Sequence, residues 1–202
     1  VFDQPIDAIQ QASVLAEYAE CLFPVWEGGS IRMVSDAPVT SVTAKYGDHN
    51  IIRDSLNLSV TGLENVPTEV EVKYTDTSPG PTPWVPASAI ARLPGVDTGA
   101  VTRRVSVMHM SGIHDYAQAY RVALTKLRKA QVPAKASWRT LDEAVKDQRG
   151  DVVSLAAETA FAELWMRITS VTLDAPGRFT VQAEGYSDQL YPDDVETPGG
   201  TF

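Results

Sequence analysis

Two histidines, His109 and His114, stand five residues apart across Ser111-Gly112. A pair of imidazoles can hold a divalent metal, but no third ligand follows at a spacing that suits one. His109 therefore reads as a strand residue and His114 as a polar residue at a helix start. His49, in Gly-Asp-His-Asn, reads as an exposed turn residue. Cys21 is the single cysteine, on the boundary of an apolar helix face, so no intramolecular disulfide forms. A catalytic thiol would need a histidine and a polarising neighbour, and none can be nominated.

Carboxylates are plentiful, at 26 Asp and Glu, yet none stands in the apolar setting that would raise its pKa for general-acid work. The chain has no phosphate-binding loop, no dinucleotide glycine fingerprint and no HExxH; Glu-Gly-Gly-Ser-Ile around Ser30 has the wrong spacing for a nucleophile elbow. Arg149-Gly150-Asp151 spells an adhesion tripeptide but reads as a tight turn entering a strand, where glycine permits the turn and aspartate bonds local backbone. Asn57-Leu58-Ser59 fits a glycosylation acceptor but lies inside a strand candidate. No catalytic residue, metal ligand or cofactor site is therefore nominated. Four tryptophans could stack on sugars. Trp26, Trp138 and Trp165 fall in predicted strands, where a core role is the default, which leaves Trp84 as the candidate for contact with a partner.

The elements that position these residues follow from hydrophobic period. Asp3 and Pro5 mark a helix start, and Ile9, Ala12, Leu15, Ala16, Ala19 and Leu22 share one side of a helix to about Leu22. Phe23–Trp26 and Ser30–Val34 flank Gly28-Gly29 as a hairpin. Pro38–Lys45 and Ile51–Val60 are weaker strand candidates. Val70, Val72 and Tyr74 alternate with Glu69, Glu71, Lys73 and Thr75, a strand with one wet face. The loop Ser-Pro-Gly-Pro-Thr-Pro-Trp-Val-Pro follows, its four prolines forbidding regular structure. Val85–Leu93 and Val101–Met110 are strands, with Val105, Val107 and His109 on one face of the second.

A helix over about 115–130 places Tyr116, Tyr120, Ala123, Leu124 and Leu127 on its buried stripe, and Pro133 stops it. Further strands surround Trp138 and follow Gly150-Asp151. Leu164–Leu173 is apolar on both faces, which predicts a central strand, and Asp174–Gly177 turns it into a last strand carrying Phe179, Val181 and Ala183. The predicted class is α+β and mostly antiparallel β, a small barrel or sandwich with one packed helix, preceded by a smaller helix-plus-hairpin region. The expected division is residues 1–65, 66–188 and a flexible tail at 189–202, which holds Asp193, Asp194 and Glu196.

The chain of 202 residues carries a net charge of −9, which disfavours binding to nucleic-acid phosphates. No apolar run approaches the roughly 20 residues of a membrane span. The polar start gives no sign of a secretory leader, and both ends, without Met at one and with Pro-Asp-Asp-Val-Glu-Thr-Pro-Gly-Gly-Thr-Phe at the other, suggest a piece of a longer polypeptide.

Several motifs in order carry a resemblance: GGSIRMVSDAPV, then IIRDSLNLSVTGLENVPTEVEVKYTD, SGIHDYAQAYRVALTKLRKA, RGDVVSL and WMRITSVTLDAPGRFTVQAEGYSDQLY, with Tyr186 and Tyr191 in the tyrosine positions of the closing motif. Over about 165 residues the chain resembles the hub region of tail tip proteins of long-tailed bacteriophages, the lambda host-specificity family. It departs from that pattern at Arg149, where the family has proline, and at the His-Asp helix start. The resemblance implies a structural component of a phage or prophage tail tip or baseplate hub, made in the bacterial cytoplasm and carried in the virion. It implies three copies in a ring that binds other tail proteins, no catalytic residues and a role in host attachment. An isolated fragment is expected to stay monomeric. The alternative from another class is a glycan-binding or cell-wall-degrading tail module, which would need an exposed aromatic platform at Trp84 and Trp138 or a paired acid site.

Overall fold

The computed structural model describes residues 8–18, 22–27, 30–35, 37–77, 85–156 and 163–191. In chain order the elements are α1 (Ala8–Tyr18), β1 (Leu22–Glu27), β2 (Ser30–Ser35), β3 (Ala44–Gly47), β4 (Asn57–Val60), β5 (Glu69–Asp76), β6 (Val85–Arg92), β7 (Val105–His109), α2 (Tyr116–Ala130), β8 (Ala134–Thr140), β9 (Val152–Ala156), β10 (Leu164–Ala175) and β11 (Arg178–Gly185). The chain forms two compact units that alternate along the sequence: the described parts of Val1–Met33, Leu63–Gln131 and Tyr191–Phe202 make the first, Val34–Gly62 and Val132–Leu190 the second. Strands β1 and β2 pair as a two-stranded sheet; the two glycines of the expected hairpin lie outside the described residues.

In the first unit β5 is the middle of a three-stranded sheet ordered β6-β5-β7, antiparallel to β6 and parallel to β7. Its alternation puts Val70, Val72 and Tyr74 on the helix side, beside Ala87, Ala89 and Ala91 of β6. Small residues on β6 let α2 come close, and Ala119, Val122, Ala123 and Leu127 fill the space. Burying each larger side chain contributes about 1.5–3 kcal/mol. Asp115 caps α2 by accepting the Gln118 amide at 3.0 Å. Asp115→Ala is expected to lower stability by about 1 kcal/mol, seen as a lower urea midpoint at unchanged slope.

Two apolar residues sit elsewhere than expected. Tyr116, assigned to the buried stripe, is exposed and stacks on Tyr120 at 6.1 Å, because the stripe centres on Ala119 and Val122. In α1, Ala16 is buried while Leu15 is exposed. Tyr18 at the end of α1 lies over Gly112, where an added Cβ would meet its ring at 3.1 Å, and its carbonyl accepts from Gln118 Nε2 at 2.9 Å.

The second unit is a six-stranded sheet ordered β3-β9-β10-β11-β8-β4, antiparallel except for the parallel pair β3 and β9. The expected central strand is central: β10 lies between β9 and β11, and the turn at Gly177, φ +69°, returns it into β11. Inward side chains Tyr46, Trp138, Val153, Leu155, Met166, Ile168 and Val181 form the core, with Ala144 of the 3-10 turn Asp142–Lys146 packed among them. The α+β class and mostly antiparallel pairing are as expected. The sheets are open: among the described residues nothing pairs β3 to β4 to close a barrel. Gly150, at φ +100°, makes the expected turn, with the Gln148 amide donating to Asp151 Oδ2 at 2.8 Å.

Candidate functional site

The face of the three-stranded sheet away from α2 carries the feature that the sequence concealed. Alternation assigns Glu69 to the wet side of β5, yet it is fully buried. Strand pairing explains this. Register sets Arg92 of β6 opposite Glu69, while the parallel partner of Glu69 is Val105, two residues after Arg103. Arg92 Nε donates to Glu69 Oε2 at 2.8 Å; Arg103 donates from Nε to Oε2 at 2.9 Å and from an Nη to Oε1 at 2.8 Å. Asp97 accepts from the far side of Arg92 at 3.1 Å. The Arg103 hydrogen bonds lead in holding the Glu69 carboxyl below its ordinary value, with Arg92 adding to them against the opposing effect of burial. One carboxylate thus ties both outer strands to the middle one. Arg104 adds a second anchor, donating from Nε to the Val66 carbonyl at 2.7 Å.

This anchoring presents β7 as an edge. The Arg104 carbonyl accepts from the Glu69 amide and the Met110 amide donates to the Lys73 carbonyl, so even-numbered residues bond inward to β5. Val105, Val107 and His109 therefore turn their backbone groups outward, and among the described residues no strand takes them. The same residues expose their side chains, Val105 at 42% and Val107 at 47%. Natural edges are blunted with Pro, charge or bulges. The opposite edge, β6, has Pro86 and Arg92; β7, Val-Ser-Val-Met-His, has neither.

A shallow depression of about 490 Å3 lies near the far end of this face, lined by Glu71, Lys73, Thr75, Ser88, His109 and Ser111 among others. It brings a carboxylate, an ammonium and an imidazole to one depression. His109 is a strand residue, as expected, at the exposed end of β7. His114 Nδ1 is 3.0 Å from the Thr75 carbonyl, which fastens the approach to α2. Among the described residues no three of His, Cys, Asp and Glu cluster as metal ligands. His49 sits exposed in its turn.

The second unit hides its own cation. Arg167 lies within the apolar-looking β10 and is buried. It donates from Nη2 to the Ala37 carbonyl at 2.7 Å and places its guanidinium 4.9 Å from the Tyr186 ring. The Tyr186 hydroxyl accepts the Val39 amide and donates to Asp188 Oδ1, both at 2.8 Å, and burial pushes its pKa up. Trp165 stacks on Tyr186 at 6.2 Å. Tyr186 and Arg167 thus pin the strandless segment around residues 37–39 to the sheet. Tyr186→Phe strands the Val39 amide and is expected to cost about 1–3 kcal/mol, read from the urea midpoint. A variant as stable as the parent would show the pin to be idle.

Of the aromatic candidates, Trp138 is fully buried, 5.0 Å from Tyr46, and cannot join a sugar platform. Trp84 lies outside the described residues, as do Cys21 and the carboxylates of the tail. A helix-backed sheet with an unguarded edge, joined in sequence to an open six-stranded sheet, defines an α+β protein whose most conspicuous described surface is a strand. Residues 15–171 match the family described as "Putative phage tail protein", and the chain belongs to that family.

Solved structures of tail and virion proteins share the fold. A chain of the virion of a native gene transfer agent particle matches at TM-score 0.66 and 18% identity, over 94% of this chain and 42% of that one. The tail protein from Neisseria meningitidis MC58 matches at 0.61 and 13%, over 95% and 60%. The 43 kDa tail protein of prophage MuSo2 from Shewanella oneidensis matches at 0.58 and 12%, over 94% and 57%. This chain spans between 42% and 60% of those proteins. No curated protein matches its sequence.

Proposed function

We propose that this chain is a structural part of a phage or prophage tail tip or baseplate hub, working in tail assembly and host attachment. Three copies surround the tail axis and bind other tail proteins, and Trp84 contacts one of those partners. The observation that carries this reading is the β7 edge. A phage tail protein that leaves Val105, Val107 and their backbone groups open on an uncharged strand has a surface suited to assembly. Membership of the family and a fold shared with a chain of an assembled particle support it.

The test is made on particles from a producing strain, with and without the gene. Mass spectrometry of purified tails should find the chain at a low multiple of three per tail. Deletion should leave particles that lack complete tails or fail to adsorb. Complete, infective tails made without the gene product would overturn the proposal.

A further inference from the structure

We propose, resting on the reading above, that the strand received by β7 is β4 of a second copy of this chain, paired antiparallel, so that copies join head to tail. Among the described residues, four strands border the two larger sheets: β6 and β7 in one, β3 and β4 in the other. Two are guarded. Strand β6 has Pro86 and Arg92, and β3 has Lys45, ion-paired to Glu163 at 3.5 Å. The unguarded two, β7 and β4, belong to different units, so the pairing joins two different surfaces and repeats from copy to copy, as a ring does.

Their outward groups match. The Thr61 amide donates to the Pro133 carbonyl, so in the antiparallel pair with β8 the residues Asn57, Ser59 and Thr61 bond inward. Leu58 and Val60 are left facing out. Laying β4 antiparallel on β7 with Val60 opposite Val105 sets Leu58 opposite Val107. Every outward amide and carbonyl of these four residues then meets its counterpart. Val60 at 65% and Val105 at 42% are among the exposed large apolar side chains, and this register covers both. Charge does not oppose the pairing, since neither β4, Asn-Leu-Ser-Val, nor β7, Val-Ser-Val-Met-His, carries Lys, Arg, Asp or Glu. Of the two directions, the antiparallel ladder is the more stable per residue.

Opposed residues of an outward-bonded antiparallel pair lie about 5.5 Å apart between Cα atoms, within disulfide reach. The experiment therefore uses tails purified from cells making the full gene product with Cys21→Ser, adding Val105→Cys, Val60→Cys or both. Both sites are exposed, so the substitutions barely touch the core. Under mild oxidation the double variant should give a ladder of cross-linked chains ending at the ring size, and each single variant only monomer. Dimers from Val105→Cys alone would mean that two β7 edges pair with each other, and would overturn the proposal. A double variant present in tails but not cross-linked would overturn it too.

A second arm uses charge. Val105→Lys should abolish incorporation into tails, and adding Val60→Asp should restore it at least in part. Unchanged incorporation of Val105→Lys would refute the pairing while leaving the hub reading intact. Absence of the unsubstituted chain from tails would instead refute the hub reading itself.

Discussion

Replacing Arg92 and Arg103 together by methionine is expected to destabilise the first unit, because it leaves the Glu69 carboxylate with no cation beside it. Glu69 is fully buried, whereas side-chain exposure is 36% for Arg92 and 61% for Arg103. The asymmetry decides which partner matters. Removing Glu69, as in Glu69→Gln, lets both guanidiniums turn to water and should cost less, about 1–3 kcal/mol. Chemical denaturation of the three proteins at neutral pH checks the order. An equal loss from both changes would show that Glu69 is better solvated than the geometry says.

The pH dependence carries the same claim with a sign. The folded carboxyl of Glu69 titrates below its ordinary value of 4.5, so its stabilisation is fully present above that value. It is lost as pH falls through the lowered folded value. In the Arg92→Met, Arg103→Met double variant burial acts alone on Glu69 and raises its pKa, so acidification should recover stability there. A slope that lies below about 4.5 in the parent, with stability falling on acidification, and above about 4.5 in the double variant, with stability rising on acidification, would mark the cluster as the cause.

Trp138→Ala is expected to cost the second unit about 3–5 kcal/mol. The side chain is fully buried and tilted on Tyr46, whose hydroxyl donates to Asp147. An alanine leaves a void bounded by β8, β11 and the 3-10 turn of Ala144, elements too tightly paired to collapse into it. Trp138→Phe should lose much less, since the indole Nε1 has no hydrogen-bond partner among the described residues. Loss of sheet signal in urea, followed by circular dichroism, measures both. If alanine is tolerated within about 1 kcal/mol, the core is not organised around this ring.

Local pattern carried far along the chain. The alternation of Val70, Val72 and Tyr74, the stop at Pro133 and the turns at Gly150 and Gly177 are decided by neighbours a few residues away, so they can be read one segment at a time. Helix α2 starts after Asp115 for the same reason: the carboxylate that caps it is three residues from the amide it accepts. The doubly apolar run of β10 likewise announced a central strand, although Arg167 inside it passed unnoticed.

Other readings needed partners distant in sequence. Nothing within eight residues of Glu69 distinguishes it from Glu71, yet one is sealed and the other half open, because only Glu69 falls between Arg92 and Arg103 once three strands align. Arg167 is buried because Tyr186 and the Ala37 carbonyl meet it from 19 residues later and 130 earlier. The alternating units are of the same kind: the exchanges at Gly62–Leu63 and Gln131–Val132 are set by contacts between segments far apart in sequence.

By itself the sequence determined the α+β class, the long helix and the ordered motifs of a tail protein, since propensity, capping and period act within a few residues. Tertiary structure alone decided which charges are sealed and which edge stays open, because strand order depends on contacts that no local window contains.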